Sequence, residues 1–475
     1  GNIMYTYNLQ NPFSIKPFTK IKALENKWFT LIREFNLQLM PNSFGASVEG
    51  VRTFASLKNR DITSFYTNSG SSEFENPILY NKNFLITRAY NLRWDFNKAL
   101  KFDYTANNES RVLEPYGDVS KKGSPARDSV ISNLKKGGTN TQYRQQMNLS
   151  VIVPLNKIPI LDFTTLNYRY GGTFTWSRMP FAIPDAPDTS YIGNSIQNTS
   201  SHNITASFAM TQLYNKIPYF KRINSPQPKQ PPPQKGKGAA SALQAKAQTS
   251  DKDTTEKKPK KFKNVFEFLA RGIMMVKNVS GTVQKTGGQG MPNFRPRSQY
   301  GGMDFNAKNG PAPGFLFTTG LYDDKIRERS DANGWLVKTR NQTTPYTLID
   351  NINYTYRAAV EPHGSLKIDL TGNYSKQKSI TEYMGYDSLG NYSYNLSPNM
   401  TGNFDISTFT FFRSFKDGKN PVNSKLFDEF LLDRTKMGGE LASKNPKSDK
   451  SAINDGYSDN QQDVLMGSFY RTYTG

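Results

Sequence analysis

The sequence predicts an all-β fold: an antiparallel transmembrane β-barrel segment of about eleven strands, part of a larger barrel, with short periplasmic turns and long extracellular loops. Three observations predict it. From Thr165 to Ser177 the side chains alternate without a break, with Leu166, Tyr168, Tyr170, Gly172, Phe174 and Trp176 on one parity and Thr165, Asn167, Arg169, Gly171, Thr173, Thr175 and Ser177 on the other. A period of two is that of an extended strand with one apolar and one polar face, and this run is longer than the ~9–11 residues a tilted strand needs to cross a bilayer. The same rhythm recurs along the chain, and the connections between recurrences alternate short and long, the order found in outer-membrane barrels.

Composition fits that class and limits others. Mean hydropathy is −0.66, but a water-filled barrel needs an apolar residue only at every second strand position. Aromatic residues make up 13% of the chain, which suits the interfacial girdles of such barrels, although sugar-binding sandwiches are also aromatic-rich. The longest apolar stretch, Phe266 to Val276, is broken by Glu267 and Arg271, so a transmembrane helix is not expected. Cysteine is absent, which removes disulfides, thiol nucleophiles and Cys-based metal sites. The opening Gly1-Asn2-Ile3-Met4 carries no secretory signal and points to a fragment. Formal charge is +22, and nine of those net charges fall in residues 221–263, which hold twelve Lys or Arg against three Asp or Glu.

In order, Ile3, Tyr5, Tyr7 and Leu9 alternate; Ile21, Leu24, Trp28 and Leu31 fall at helical spacing; and Phe35, Leu37 and Leu39 lead through Pro41-Asn42-Ser43 into Phe44, Ala46 and Val48 as a short-turned hairpin. After a polar stretch, Leu92, Trp94 and Phe96 turn tightly into Leu100, Phe102 and Tyr104, and Met147 to Leu155 turns into the run at Thr165. Asn156-Lys157-Ile158-Pro159 recurs as Asn215-Lys216-Ile217-Pro218, and both copies read as equivalent periplasmic turns at one end of neighbouring hairpins. Strand character is expected from Phe266 to Gln284, a Gly-rich section from Lys285 to Thr343, a hairpin across Glu361-Pro362-His363-Gly364, and a last strand from Phe404 to Phe412. The domains expected are 1–220, strands and loops; 221–263, a disordered basic Pro/Lys-rich insertion; 264–415, strands and loops; and 416–475, an irregular tail with a short helix around Leu426 to Leu432, leading to a further strand. Because hydrocarbon tolerates no open sheet edge, a chain that starts and stops within strands either closes a small barrel or belongs to a larger one.

Asn156-Lys157-Ile158-Pro159-Ile160-Leu161-Asp162-Phe163 followed by Leu166 to Trp176, then Leu213 to Phe220, Met274 to Thr282 and Ala312-Pro313-Gly314-Phe315 resemble, in order, the SprA/Sov family of Bacteroidetes cell-surface proteins. Gly467-Ser468 and Arg471-Thr472 depart from that family's pattern. The resemblance implies the outer-membrane translocon of type IX secretion, a very large barrel through which folded proteins reach the cell surface and which also serves gliding motility. It implies exported proteins, a plug protein and a PorV-type shuttle barrel as partners, outer-membrane lipid around the wall, and loops at the cell surface. It implies no catalysis, no cofactor and no nucleic acid.

The residues themselves carry no catalytic or metal motif. His202 and His363 are the two histidines, read as solvated loop residues. Asp331-Ala332-Asn333-Gly334 lacks the later Glu of a calcium loop and reads as a turn. Lys285-Thr286-Gly287-Gly288-Gln289-Gly290 lacks the Gly-Lys-Ser/Thr ending of a phosphate loop and reads as a flexible surface loop. Parity instead marks Arg93, Asp95, Asn167, Arg169, Thr173 and Thr175 as lumen-facing, and Leu92, Trp94, Phe96, Leu166, Tyr168, Tyr170, Phe174 and Trp176 as lipid-facing. The basic insertion reads either as a periplasmic tether for an acidic partner or anionic headgroups, or as a solvated variable segment. Two other functions stay open from the residues alone: a large nutrient-uptake barrel, and a soluble basic nucleic-acid-binding β protein suggested by the charge.

Overall fold

The structure, a computed structural model, describes the chain except for residues 11–12, 20, 22–25, 27–28, 61–76, 180–192, 225–264, 339–343, 364, 387–391, 409–412, 414–423, 447, 449–454 and 475. Its strands are β1 (Asn2–Asn8), β2 (Ser14–Ile15), β3 (Leu37–Gln38), β4 (Ser43–Lys58), β5 (Ile78–Asp95), β6 (Leu100–Arg111), β7 (Thr139–Val153), β8 (Thr164–Ser177), β9 (Asn194–Ala209), β10 (Val276–Phe294), β11 (Tyr346–His363), β12 (Leu366–Tyr386) and β13 (Tyr392–Ile406). The helices are α1 (Thr30–Arg33), α2 (Pro125–Lys135), α3 (Met210–Lys216), α4 (Pro218–Asn224), α5 (Val265–Met274), α6 (Phe315–Thr318), α7 (Ile326–Ala332), α8 (Lys425–Lys444) and α9 (Gln462–Thr474). None of the described helices is long and apolar enough to cross a membrane.

Among the described residues, eleven strands form one antiparallel sheet in the order β1-β4-β5-β6-β7-β8-β9-β10-β11-β12-β13, while β2 and β3 pair separately. Each strand of this sheet beside its sequence neighbour is a meander, so connections alternate between the two ends. Residues 96–99, 154–163 and 364–365 connect strands at one end; 59–77, 112–138, 178–193 and 295–345 connect them at the other. Three connections break the order. Residues 9–42 and 210–275 are long at the short-turn end, and 387–391 are short at the long-loop end.

Several expectations are corrected. The segment around Leu37 does not form a hairpin with β4; β1 occupies that edge, Tyr5 opposite Ala46, and Leu37 pairs with Ile15. Strand β5 starts at Ile78, well before the apolar rhythm of Leu92 to Phe96, because backbone pairing with β4 carries it through the polar Asn81-Lys82-Asn83. Residues 265–274 are helix α5 rather than strand. Lys285 to Gly290 are not a loop; they sit inside β10, paired on both sides, with Gly288 opposite Thr199 and Ile349. Asp331 and Ala332 close α7, and Asn333 and Gly334 (φ 69°) terminate it. The helical spacing between Lys20 and Ile32, the insertion from residue 225 onward, the Gly364 turn and the end of the Phe404 strand fall wholly or mainly outside the described residues.

The Gly-rich stretch after β10 is ordered and packs on the sheet. Phe174 and Trp176 of β8, Ile196 of β9, Tyr143 of β7, and Met291 and Phe294 of β10 form one buried cluster with Ala312, Phe317, Ile326, Trp335 and Leu336 of the 295–338 segment. Phe317 meets Phe174 edge to face at 6.0 Å, and Trp335 meets Phe294 at 6.4 Å. The segment's carbonyls find donors on the strands. Gln145 Nε2 donates to the Thr318 carbonyl at 2.6 Å, the Tyr170 hydroxyl to Thr319 at 2.7 Å, and Asn198 Nδ2 to Leu321 at 2.8 Å. Gln289 pairs in both directions with the Asp323 backbone, at 2.8 and 3.0 Å. Buried backbone groups need such partners, which explains three of the polar side chains on that face.

At the same end, the 112–138 segment is tied to β4 and β5. Arg52 bonds both Glu114 oxygens at 2.6 and 2.9 Å, and this guanidinium holds the buried Glu114 carboxyl below the usual carboxylate range. The Tyr116 hydroxyl donates to the Ile78 carbonyl at 2.8 Å.

Residues 372–374 and 405–475 form a second compact unit. The expected irregular tail instead holds two helices, with α9 occupying the stretch that led toward a further strand. Ser424 Oγ caps α8 by accepting from Phe427 N. Val464, Ser468 and Thr472, one turn apart on α9, are buried, and Ser468 Oγ reaches the Asp433 carbonyl at 3.2 Å. Small, mostly polar residues make that buried stripe, so no apolar period betrays it.

Gly172 is where the 295–338 segment comes closest to β8; a Cβ there would collide with the Thr319 carbonyl. Gly172→Val is expected to lift the segment, costing roughly 1–3 kcal/mol. Hydrogen exchange should report it as faster exchange of the Thr318 to Leu321 amides with β1 and β4 unchanged.

Candidate membrane-facing wall

Register places side chains in rows across the sheet, because directly opposed residues share a face. One row runs Asn8, Ser43, Arg93, Asp103, Asn148, Gly171, Ser201, Thr286 and Asn351 across nine strands. The next row on that face runs Asp95, Lys101, Ser150, Arg169, Asn203, Gln284 and Asn353. Neither row contains an apolar side chain. Opposite charges stand directly across strand pairs, Arg93 against Asp103 and Asp95 against Lys101, an arrangement worth roughly 0.2–1 kcal/mol per pair.

The other face carries Leu100, Val151, Tyr168, Ile204, Val283 and Tyr354 in one row. Nearer the short turns, Val153, Leu166, Ala206, Gly281 and Tyr356 form another, and Tyr7, Phe44, Leu92, Tyr104 and Met147 continue the apolar surface toward β1. Much of this face is open: Ile3 is 77% exposed, Tyr5 60% and Tyr356 54%. Exposed large apolar residues are unremarkable singly, but a contiguous field of them marks an interaction surface.

The residues singled out by parity therefore separate as follows. Arg93, Asp95, Asn167, Arg169, Thr173 and Thr175 share the polar face, where Arg93 and Asp95 lie 3.6 Å apart and the Thr173 and Thr199 hydroxyls bond each other. Leu166 and Tyr168 lie on the apolar face clear of the 295–338 segment's hydrogen bonds, and Leu92 is half-buried beside Phe44 and Tyr104. Trp94 stacks on Phe96 at 4.3 Å and donates its indole N–H to the Gln38 carbonyl at 3.1 Å, so β3 partly covers that pair. Phe174 and Trp176 are corrected. They are 0% and 1% exposed, facing protein rather than lipid, because the 295–338 segment lies over the long-loop half of β7 to β10. Tyr170 marks the boundary, its hydroxyl bonded to that segment.

His202 is also corrected. It sits mid-strand on the apolar face, its Nδ1 2.9 Å from the Tyr168 hydroxyl and its ring 5.0 Å from that of Tyr170. The polar Asn198, Ser200 and His202 on the apolar parity hid the first half of β9 from sequence reading. Among the described residues no three His, Asp or Glu side chains gather to hold a metal ion.

Both copies of the repeated tetrapeptide lie at the short-turn end. Asn156 and Lys157 belong to a 3-10 turn before Ile158 and Pro159; Asn215 and Lys216 end α3, Ile217 caps it and Pro218 opens α4. The copies touch. Lys216 Nζ bonds the Pro159 carbonyl and pairs with Asp162, while Lys157 pairs with Glu34 at 2.5 Å.

No protein-family model matches the chain, and no curated protein matches it.

Because the chain has no cysteine, single cysteines report each face. In detergent solution, Arg169→Cys is expected to react with a water-soluble maleimide at an exposed-thiol rate, and Phe174→Cys only after denaturation. Mass spectrometry of the labelled chain reads the difference.

Proposed function

We propose that this chain is part of the wall of an outer-membrane channel that exports folded proteins from the periplasm to the cell surface, as the resemblance to the SprA/Sov family implies. The observation that carries the reading is the polar row spanning nine strands, with open apolar rows behind it. One side of such a sheet suits water and the other hydrocarbon. Among the described residues, strands β1 and β13 leave two unpaired edges, and a bilayer requires such edges to be paired by further strands. The short-turn end then faces the periplasm. The apolar band ends near Tyr170, and β7 to β10 continue beyond the bilayer, where protein takes over from lipid as the cover.

Exported proteins, a plug protein and a PorV-type shuttle barrel are the partners this reading proposes, with no catalytic step. A soluble β protein is the second reading, favoured by the buried cluster around Phe174. It leaves the open apolar residues Ile204, Tyr354 and Tyr356 without a purpose.

Depletion of the protein should abolish surface delivery of large secreted proteins while uptake of small ligands continues; lost uptake with intact secretion would favour a nutrient transporter. Ile204→Arg, on the open apolar row, should cost roughly 2–4 kcal/mol at mid-depth and lower the folded fraction in outer-membrane extracts. Thr205→Arg, one residue away on the polar face, should not. Extraction of the wild-type protein by aqueous buffer alone would overturn the membrane reading.

A further inference from the structure

Helix α5 is apolar on more of its surface than its packing uses. Ala270 and Met274, one turn apart, are buried, and the helix end is held where the Tyr214 hydroxyl donates to the Ile273 carbonyl at 2.8 Å. Beside that packed stripe, Phe266, Leu269 and Ile273 recur at the three- and four-residue spacing of one helix face and are 77%, 55% and 56% exposed. Such a stripe would be aggregation-prone in water.

The surroundings say what covers it. The helix lies at the short-turn end, next to the start of β10, whose Val279, Gly281 and Val283 belong to the open apolar face. The described parts of 210–224 and 265–277 hold five basic residues, including the exposed Lys221, Arg222 and Arg271, against one acid, Glu267. Residues 225–264 contain only Leu243 and Phe262 as bulky apolar residues. Even with Phe268, exposed at 57% on the other side of the helix, four side chains on a ten-residue helix are far too small for a stable protein interface, which buries ~1,200–2,000 Å². A bulky apolar stripe flanked by Lys and Arg is instead the pattern of a helix lying in a membrane interface, immersed roughly 5–10 Å, with basic groups near anionic headgroups.

We propose that α5 is a membrane-surface helix whose Phe266, Leu269 and Ile273 enter the headgroup region of an anionic phospholipid leaflet at the short-turn rim of the wall. This rests on the membrane reading above and deepens it: the rim is anchored by a helix lying flat as well as by strands passing through.

The test uses the full-length protein extracted in detergent and reconstituted in nanodiscs of phosphatidylethanolamine and phosphatidylglycerol. Spin labels are placed singly through Phe266→Cys, Ile273→Cys, Tyr168→Cys and Arg222→Cys, and collisions with oxygen are compared with those with a water-soluble nickel chelate. The labels at 266 and 273 are expected to favour oxygen, at shallower depth than the label at 168, while the label at 222 favours nickel. Replacing phosphatidylglycerol by phosphatidylcholine should reduce the oxygen preference at 266 and 273; no change there overturns the anionic assignment. Oxygen preference at 168 with nickel preference at 266 and 273 overturns the helix proposal and leaves the wall reading standing. Nickel preference at 168 overturns both.

Discussion

A sheet whose side chains alternate with period two must find something for each face, and the two faces here make opposite demands. The rows through Arg93 and Arg169 carry hydroxyls, amides and charges across the sheet, and such groups lose roughly 2–7 kcal/mol each if removed from water without partners. That face is committed to water. The other face, with Tyr168, Ile204 and Tyr354 abreast, gains by leaving water, at ~25 cal/mol per Å². How it leaves water differs along the strands, and the rest of the architecture follows from that difference.

At the long-loop end the cover is the chain itself. Residues 295–338 bring Phe317, Trp335 and Leu336 down onto Phe174, Trp176 and Phe294. Such a cover lacks regular secondary structure over much of its length, so its backbone carbonyls arrive unpaired. Gln145, Asn198 and Gln289 meet them. These amides would be costly facing hydrocarbon and are satisfied only because a loop backbone lies on them. Their positions therefore draw the line between the part of the face that protein covers and the part that it does not.

That line also explains what was legible in the sequence. Strand type, antiparallel order and the number of strands follow from a period of two and from turn residues, both local signals, and the facing of Arg169 against Tyr168 follows from the same parity. The fate of Phe174 and Trp176 was not legible. Nothing in Thr165 to Ser177 distinguishes a ring facing lipid from one facing Phe317, since the covering residue lies some 140 positions later. The Lys285 to Gly290 run misled for a related reason: glycine signals flexibility by itself, but here it admits close neighbours, as at Gly288 beside Thr199. Helix α5 looks like a strand in the sequence because apolar residues at Phe266, Phe268 and Leu269 satisfy a two-residue and a helical period about equally over so short a run.

At the short-turn end the cover is slighter among the described residues, with β3 reaching Trp94, and beyond the row of His202 and Lys285 the polar interruptions thin out. Val153, Leu166, Ala206 and Gly281 stand abreast with no amide among them. On the membrane reading proposed above, the two ends of the same strands meet different surroundings: one a specific protein backbone with fixed hydrogen-bond positions, the other a medium that offers none. A medium without donors or acceptors, met by strands whose opposite face requires water, is what a bilayer around an aqueous passage supplies. The touching Lys216 and Pro159 turns and the exposed stripe of α5 sit where that medium would meet water again, which is where aromatic, basic and bulky apolar side chains are best placed together.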